Sequence, residues 1–244
     1  MSKHRFYIAG QLEMGATITL DQEESRHAFK VLRLAVHDEI LLVNGKKLQA
    51  LARIEAIGKT QLIARVLSVS ELSLKRPSEL ILLQGLLKGP KMDWLVEKIT
   101  EIGVACFQPV ICEFSVAREN KLERWRRIAE SALKQSGNLL MPDIMEPTPL
   151  EQAVEKYASS ALKIILQPGA SLSLFQCLQK CRDTQGPLTQ VLVVIGPEGG
   201  FSPKEEQFLL SRGFLPACLS HNILRGESAA ILTTGICRHF LDFF

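Results

Sequence analysis

The sequence predicts an α/β protein in two parts: a small, mostly β module over residues 1–72 and a larger domain over 73–244 with a parallel sheet flanked by helices. Three observations predict it. Up to about Ser70 the chain alternates short apolar segments with tight-turn residues. The polar and proline-containing run Ser73-Leu-Lys-Arg-Pro-Ser78 then interrupts that pattern and reads as a linker. From Leu80 onward, continuous apolar strands alternate with helical periodicity, the signature of strands buried on both faces.

In the first module, strands are expected over Arg5–Ala9, Thr17–Leu20, Glu39–Val43, Leu48–Ile57 and Gln61–Val69. Asn44-Gly45 and Gly58-Lys59 supply residues that tolerate positive φ at hairpin turns. A helix is expected over Gln22–Leu34, with Phe29, Leu32 and Leu34 toward the sheet and Arg26, Lys30 and Arg33 along another face. Such a cationic edge is also what an ordinary solvated amphipathic helix would show.

In the second domain the apolar strands are Leu80–Leu83, Phe107–Ile111, Leu162–Leu166, Val191–Ile195 and Phe214–Cys218. Over Lys91–Gly103, Met92, Leu95, Val96, Ile99 and Ile102 keep the 3.6-residue period, and Gly103 offers a stop. Over Lys121–Gln135, Leu122, Trp125, Ile128, Ala129 and Leu133 form an inner stripe and leave Lys121, Arg124, Arg127 and Lys134 outside. Ser202-Pro-Lys-Glu205 combines an N-cap serine, a first-turn proline and a glutamate three residues after the cap, so a helix starts there.

Composition excludes several classes. The chain has 244 residues, 46% apolar and 23% charged, which is enough to bury a core and too apolar for disorder as its main state. No run reaches the roughly 18 uncharged apolar residues that a spanning helix needs, and Met1-Ser-Lys-His-Arg5 leads into no apolar signal region. A cytoplasmic protein without membrane association is expected. The six cysteines stand singly in apolar runs, and no paired ligand spacing completes a zinc site, so free thiols and no metal are expected. The net charge of +3 is unevenly spread: residues 1–76 hold 12 Lys and Arg against 8 Asp and Glu, whereas the remainder holds 17 against 18. A polyanion partner for the N-terminal end would account for the asymmetry, and so would an ordinary solvated surface.

The segment with most chemical content is Val191-Leu-Val-Val-Ile195 followed by Gly196-Pro-Glu-Gly-Gly200 and the capped helix. A buried strand ending in a glycine-rich turn before a helix N-terminus offers backbone N–H groups at the carboxyl edge of a sheet, where α/β proteins bind ligands. Neither G-K-[ST] nor G-x-G-x-x-G is present, which disfavours the common NTPase and dinucleotide readings. A tight turn that needs glycine torsions would use the same residues. The second segment, Leu219-Ser-His-Asn-Ile-Leu-Arg-Gly-Glu-Ser-Ala-Ala230, sets Arg225 and Glu227 around a glycine between a strand and the last helix. Facing the first loop, it would complete a pocket in which Arg225 can fork to a carboxylate or phosphate. The same pair could equally be a salt-bridged helix start. His221 has no nucleophile partner at recognisable spacing and receives no catalytic role.

These two segments, Ile195–Glu205 (I-G-P-E-G-G-F-S-x-x-E) and Ile223–Ala229 (I-L-R-G-E-S-A), closely resemble the signatures of the RsmE family, SPOUT-superfamily enzymes that methylate N3 of a uridine in small-subunit ribosomal RNA. Further matches are Arg5-Phe-Tyr7, His27-Ala-Phe-Lys-Val-Leu-Arg33, Lys88-Gly-Pro-Lys-Met-Asp-Trp94, Thr100-Glu-Ile-Gly-Val104 and Ala129–Ser136. They follow the family's order through nearly the whole chain.

The resemblance implies a PUA-like β-barrel for RNA contact, followed by a SPOUT-type parallel-sheet methyltransferase domain threaded as a trefoil knot. It implies S-adenosyl-L-methionine as cofactor, a homodimer through the knot domain, and 16S rRNA in the small ribosomal subunit or its precursor as partner. Carried onto this sequence, the cofactor residues are Leu166 and Gln167, then Gly196, Pro197, Glu198, Gly199 and Gly200, then Leu219, Ser220, Asn222, Ile223, Leu224 and Arg225. Arg225 would place positive charge near the uracil, with Glu198 or Glu227 orienting it. RNA contact falls to Arg5, Arg26, Lys30, Arg33, Lys88, Lys91, Arg124 and Arg127.

The chain departs from the pattern at Phe114 and Asn138, where the family has arginines, and at Gly226 and Ser228, where it has threonines. The first pair bears on the grip on RNA, for which Arg124, Arg126 and Arg127 are candidates to compensate. Two other readings are a non-catalytic RNA-binding or ribosome-assembly factor, which would not bind S-adenosylmethionine, and a methyltransferase for a different RNA.

Overall fold

A computed structural model describes residues 4–8, 10–46, 48–58, 61–71, 79–116, 120–138, 140–160 and 162–243. The chain forms two compact units, one of Met1–Lys75 with Leu133–Met141 and the other of Arg76–Ala132 with Pro142–Phe244. The expected linker, 73–78, and the expected boundary between 72 and 73 lie outside the described residues.

The first unit is a five-stranded sheet of β1 (Arg5–Tyr7), β2 (Thr17–Leu20), β3 (Glu39–Val43), β4 (Leu48–Ile57) and β5 (Leu62–Glu71), in the order β1-β3-β4-β5-β2. β1 runs parallel to β3 and the remaining pairs are antiparallel. Period-two alternation explains its single buried face: along β4, Ala50, Ala52 and Ile54 point inward while Arg53 and Glu55 point to solvent. Phe6, Leu20, Ile40, Leu42 and Leu62 complete that core.

Helix α1 (Gln22–Lys30) is capped by Asp21, whose side chain accepts the Glu24 amide. Ser25 fixes it to the sheet, donating its hydroxyl to the Leu20 carbonyl at 3.2 Å and accepting the Leu62 amide at 2.8 Å. The helix is shorter than the sequence predicts. Arg33 takes a left-handed φ of 55° and the Leu34 amide turns back to the Ala28 carbonyl, so Arg33 leaves the face that carries Arg26 and Lys30. Phe29 is also 47% exposed, and it is Ala28, with Leu32 and Leu34, that meets the core. The segment 133–141 packs with this unit through Lys134 on Glu24 at 2.9 Å, Arg5 donating to the Gly137 carbonyl, and the Met141 amide donating to the Gly45 carbonyl. Its membership was hidden because it follows a helix whose stripe reads as continuous.

The second unit alternates β6 (Glu79–Gly85), α2 (Lys91–Ile102), β7 (Cys106–Ile111), α3 (Leu122–Ser136, whose last residues belong to the first unit), β8 (Asp143–Ile144), β9 (Thr148–Pro149), α4 (Leu150–Lys156), β10 (Leu162–Leu166), α5 (Leu174–Gln185), β11 (Gln190–Ile195), α6 (Pro203–Ser211), β12 (Leu215–Ala217) and α7 (Gly226–Phe243). The sheet order is β12-β10-β11-β6-β7-β8, with β9 beside β7, and every pairing is parallel. β6 and β11 lie in the middle, and Leu80–Leu83 and Val191–Val194 are fully enclosed. Gly103 ends α2 at φ 100°, as its sequence position predicts. Parallel pairing puts the carboxyl ends of β12, β10, β11 and β6 side by side, and the site forms there.

Candidate active site

Three loops leaving neighbouring strands enclose a cavity of about 790 Å³: Leu166–Pro168 after β10, Ile195–Phe201 after β11, and Cys218–Gly226 after β12. Its volume lies within the range for small-molecule sites. The loop after β11 folds tightly, with the Gly200 amide donating to the Pro197 carbonyl at 2.9 Å and Gly200 at φ 73°. It lies flat against the end of β6, where a Cβ on Gly85 would come within 2.3 Å of the Pro197 nitrogen. Beside it, the buried Gln84 amide donates to the carbonyls of Gly85 at 3.0 Å and Gly196 at 3.1 Å.

The loop ends in the predicted capping box. Ser202 accepts the Glu205 amide, and Glu205 Oε2 accepts the Ser202 amide at 2.8 Å. Glu205 Oε1 also accepts the Glu113 amide at 2.8 Å, which ties the turn after β7 to the start of α6. On the opposite wall, Ser220 Oγ donates to the Asn222 carbonyl and accepts the Asn222 amide. The Ala229 amide donates to the Arg225 carbonyl, so α7 winds up directly behind Arg225.

Each of the residues carried over as cofactor-binding lines this cavity: Leu166 and Gln167, Gly196 through Gly200, and Leu219, Ser220, Asn222, Ile223, Leu224 and Arg225. Glu227 stands apart from the wall. It is buried on the first turn of α7, and its Oε2 has no hydrogen-bond partner among the described residues. Lys91, which the resemblance assigns to RNA contact, lines the cavity and pairs with Glu198 at 2.8 Å. That bond, and the nearby charge of Glu227, raise its pKa against its own partial desolvation and the repulsion of Arg225. Partial burial pushes the Glu198 carboxyl up, but the Lys91 ammonium and the Lys88 backbone amide outweigh it and hold the carboxyl below its ordinary value.

The remaining cationic residues divide between the units. Arg5, Arg26, Lys30 and Arg33 are exposed on the first unit; Lys88, Arg124 and Arg127 are exposed on the second, where Arg124 pairs with Asp93 at 2.8 Å. Phe114 packs on Gly199, whereas Asn138 accepts the Leu140 amide in the 133–141 segment. Among the described residues no group of three or more His, Cys, Asp or Glu could hold a metal ion, and no helix is long and apolar enough to cross a membrane.

Residues 74–238 match the RNA methyltransferase domain family and residues 20–67 the RNA methyltransferase PUA domain family. The Ribosomal RNA small subunit methyltransferase E of Buchnera aphidicola is 30% identical over 246 aligned positions, covering 98% of this chain and 94% of that protein. The chain belongs to the ribosomal RNA small subunit methyltransferase E family. The member from Neisseria gonorrhoeae, solved bound to S-adenosyl methionine, superposes with a TM-score of 0.85 at 30% identity and full coverage of both chains. A methyltransferase from Legionella pneumophila, solved with bound SAM, gives 0.83 at 32% identity and 98% coverage of each chain.

Membership in this methyltransferase family gives the two units their kinds: a PUA-type module and a parallel-sheet methyltransferase domain. Sequence motifs missed the part of the site built by β6. Gln84 and Gly85 lie in an apolar run with no motif spacing, and only their pairing beside β11 gives them a role. Cys218, Ala217 and Ala229 also line the cavity, as the flanks of loops that the motifs did mark.

Proposed function

We propose that this methyltransferase transfers a methyl group from S-adenosyl-L-methionine to N3 of a specific uridine in 16S rRNA, acting on the small ribosomal subunit or its precursor. The observation that supports it most is the cavity at the carboxyl edge of the sheet, with the glycine loop on one side and Leu219–Arg225 on the other. Its residues fit the cofactor. The bare Gly196–Gly200 backbone leaves room for close approach, Leu166, Ile195, Ala217 and Leu224 offer apolar cover for a base, and Gln167, Ser220 and Asn222 offer polar partners. When bound, the cofactor supplies an electrophilic methyl carbon on a sulfonium.

The chain's own residues contribute positioning and charge. In-line transfer requires the acceptor nitrogen, the methyl carbon and the sulfur to align, and loops pinned at both ends hold that geometry. Uracil N3 carries a proton and becomes nucleophilic as the proton leaves, so positive charge at the ring favours the step. Arg225, on the cavity wall, fills that role. Glu198 orients the cationic side of the cavity through Lys91, and the buried Glu227 carboxylate adds negative charge behind Arg225. N3 is blocked in a Watson–Crick pair, so the target uridine enters unpaired.

The second domain is read as a trefoil knot that pairs with a second copy. Exposed Leu232 and Phe243 on α7 and Phe175 on α5 supply apolar area for such a homodimer. A cytoplasmic location follows from the substrate. The test is mass-spectrometric mapping of 16S rRNA from a strain lacking the gene. Loss of one N3-methyluridine, restored by the wild-type chain and not by Arg225→Ala, is expected; an unchanged N3-methyluridine content overturns the reading.

A further inference from the structure

Phe114 is an exposed aromatic side chain in a turn that the fold holds rigidly. The Cys112 amide donates to Ser115 Oγ at 3.0 Å, the Ser115 amide to the Cys112 carbonyl at 3.0 Å, and the Glu113 amide to Glu205 Oε1 at 2.8 Å. Three hydrogen bonds across four residues leave the backbone little freedom, and one of them runs to the helix that follows the glycine loop. The Phe114 backbone and Cβ lie against Gly199 so closely that a Cβ at residue 199 would sit 2.9 Å from Phe114 Cβ and 3.6 Å from its Cγ. A side chain so placed could have covered the loop; the residue instead remains 44% exposed. Neighbouring Val116 is exposed as well.

An exposed phenyl ring on an anchored backbone, beside a pocket that receives an unpaired base, is chemically matched to the π-face of a nucleobase. Stacking on an aromatic side chain is how splayed single-stranded RNA is commonly held. We propose that Phe114 is a stacking platform for an unpaired nucleobase of the RNA substrate at the rim of the Gly196–Gly200 loop. The inference rests on the rRNA reading of the site and adds a contact by which the substrate is gripped.

The test compares Phe114→Ala, Phe114→Leu and Phe114→Trp in the full-length protein. Small subunits from the strain lacking the gene serve as ligand, in equilibrium binding and in methylation. Stacking predicts that Ala and Leu weaken subunit binding and raise the subunit KM about tenfold, by the usual worth of a base–aromatic stack, while Trp retains wild-type values. S-adenosylmethionine affinity by calorimetry and the sedimentation coefficient stay unchanged in all three. Wild-type binding by Leu overturns the proposal, since bulk alone then suffices; so does wild-type binding by Ala. A parallel loss of cofactor affinity would make Phe114 a support for the loop, and a shifted sedimentation coefficient would make it part of an interface between copies, and either result overturns it. Should the wild-type protein bind subunits without methylating them, the methylation reading fails while the binding series still decides on stacking.

Discussion

The side-chain amide of Gln84 lies 3.1 Å from the Gly196 carbonyl oxygen and 3.0 Å from that of Gly85, so one buried donor group gathers the end of β6 and the start of the glycine loop. Gln84→Leu keeps the bulk and removes the donors, leaving buried carbonyls short of partners. A loss of about 1–3 kcal/mol in unfolding free energy is expected, measured by denaturant titration. Cofactor affinity should fall as well, because the Gly196 carbonyl is no longer fixed. A variant that keeps both wild-type values would show that Gln84 only fills space.

Gly85 carries a steric prediction. Its missing Cβ is what lets Pro197 approach, since that atom would lie 2.3 Å from the Pro197 nitrogen, and backbone cannot yield as a flexible side-chain tip does. Gly85→Ala should therefore cost about 1–3 kcal/mol in stability and displace the loop. Calorimetric titration with S-adenosylmethionine should show weaker binding. Unaltered stability and affinity would mean that β6 and the loop separate easily.

The Lys91–Glu198 pair predicts a pH dependence. The folded Glu198 carboxyl lies below its ordinary 4.5, so its contribution is complete above that value and is lost as pH falls through the lower folded one. The folded Lys91 ammonium lies above its ordinary 10.5, so its contribution is complete below 10.5 and is lost as pH rises through the higher folded value. The stability difference between wild type and Lys91→Met should stay flat from pH 6 to 9 and change only outside the range bounded by those two values. A slope near pH 7 would show that another group titrates with the pair.

Burial pushes the Cys112 and Cys237 thiols up to about 12, Cys112 also feeling the Glu205 carboxylate and Cys237 eased slightly by Arg238. Neither should react with a thiol reagent at pH 8 until the chain unfolds. Peptide mapping after native labelling checks this, and modification of either residue in the folded protein would reveal a local opening of the core.

Legibility in the sequence followed the range of the interactions. The Ser202–Glu205 capping box and the Gly103 stop depend on residues within one turn, and both form as the sequence predicts. The loop residues around the cavity were legible because they cluster in short segments with an unusual residue pattern. Helix α1 defeated the reading at its end: apolar Phe29, Leu32 and Leu34 suggest continuation, but Arg33 turns left-handed and the chain leaves the helical path. The short strands β8 and β9 and helix α4 carry too few residues for a period to emerge. Helix α5 was missed despite the Ser173–Gln176 capping box that opens it. Gln84 and the 133–141 segment depend on partners far away in the chain, which no local pattern reports.

The placement of β6 sets a condition on when this enzyme becomes complete during synthesis. The first strand of the catalytic sheet is buried between β7 and β11, and its register runs from Glu79 opposite Gln190 to Gln84 opposite Ile195. A ribosome must therefore extrude more than a hundred further residues before the inner flank of β6 is covered, and closing so long a loop is an entropic cost met before any contact rewards it. Until then the nascent chain holds an apolar strand, Leu80–Leu83, with one side open. The sheet of the methyltransferase domain therefore closes around β6 only once β11 has been made, so its central pairing is a late step in synthesis.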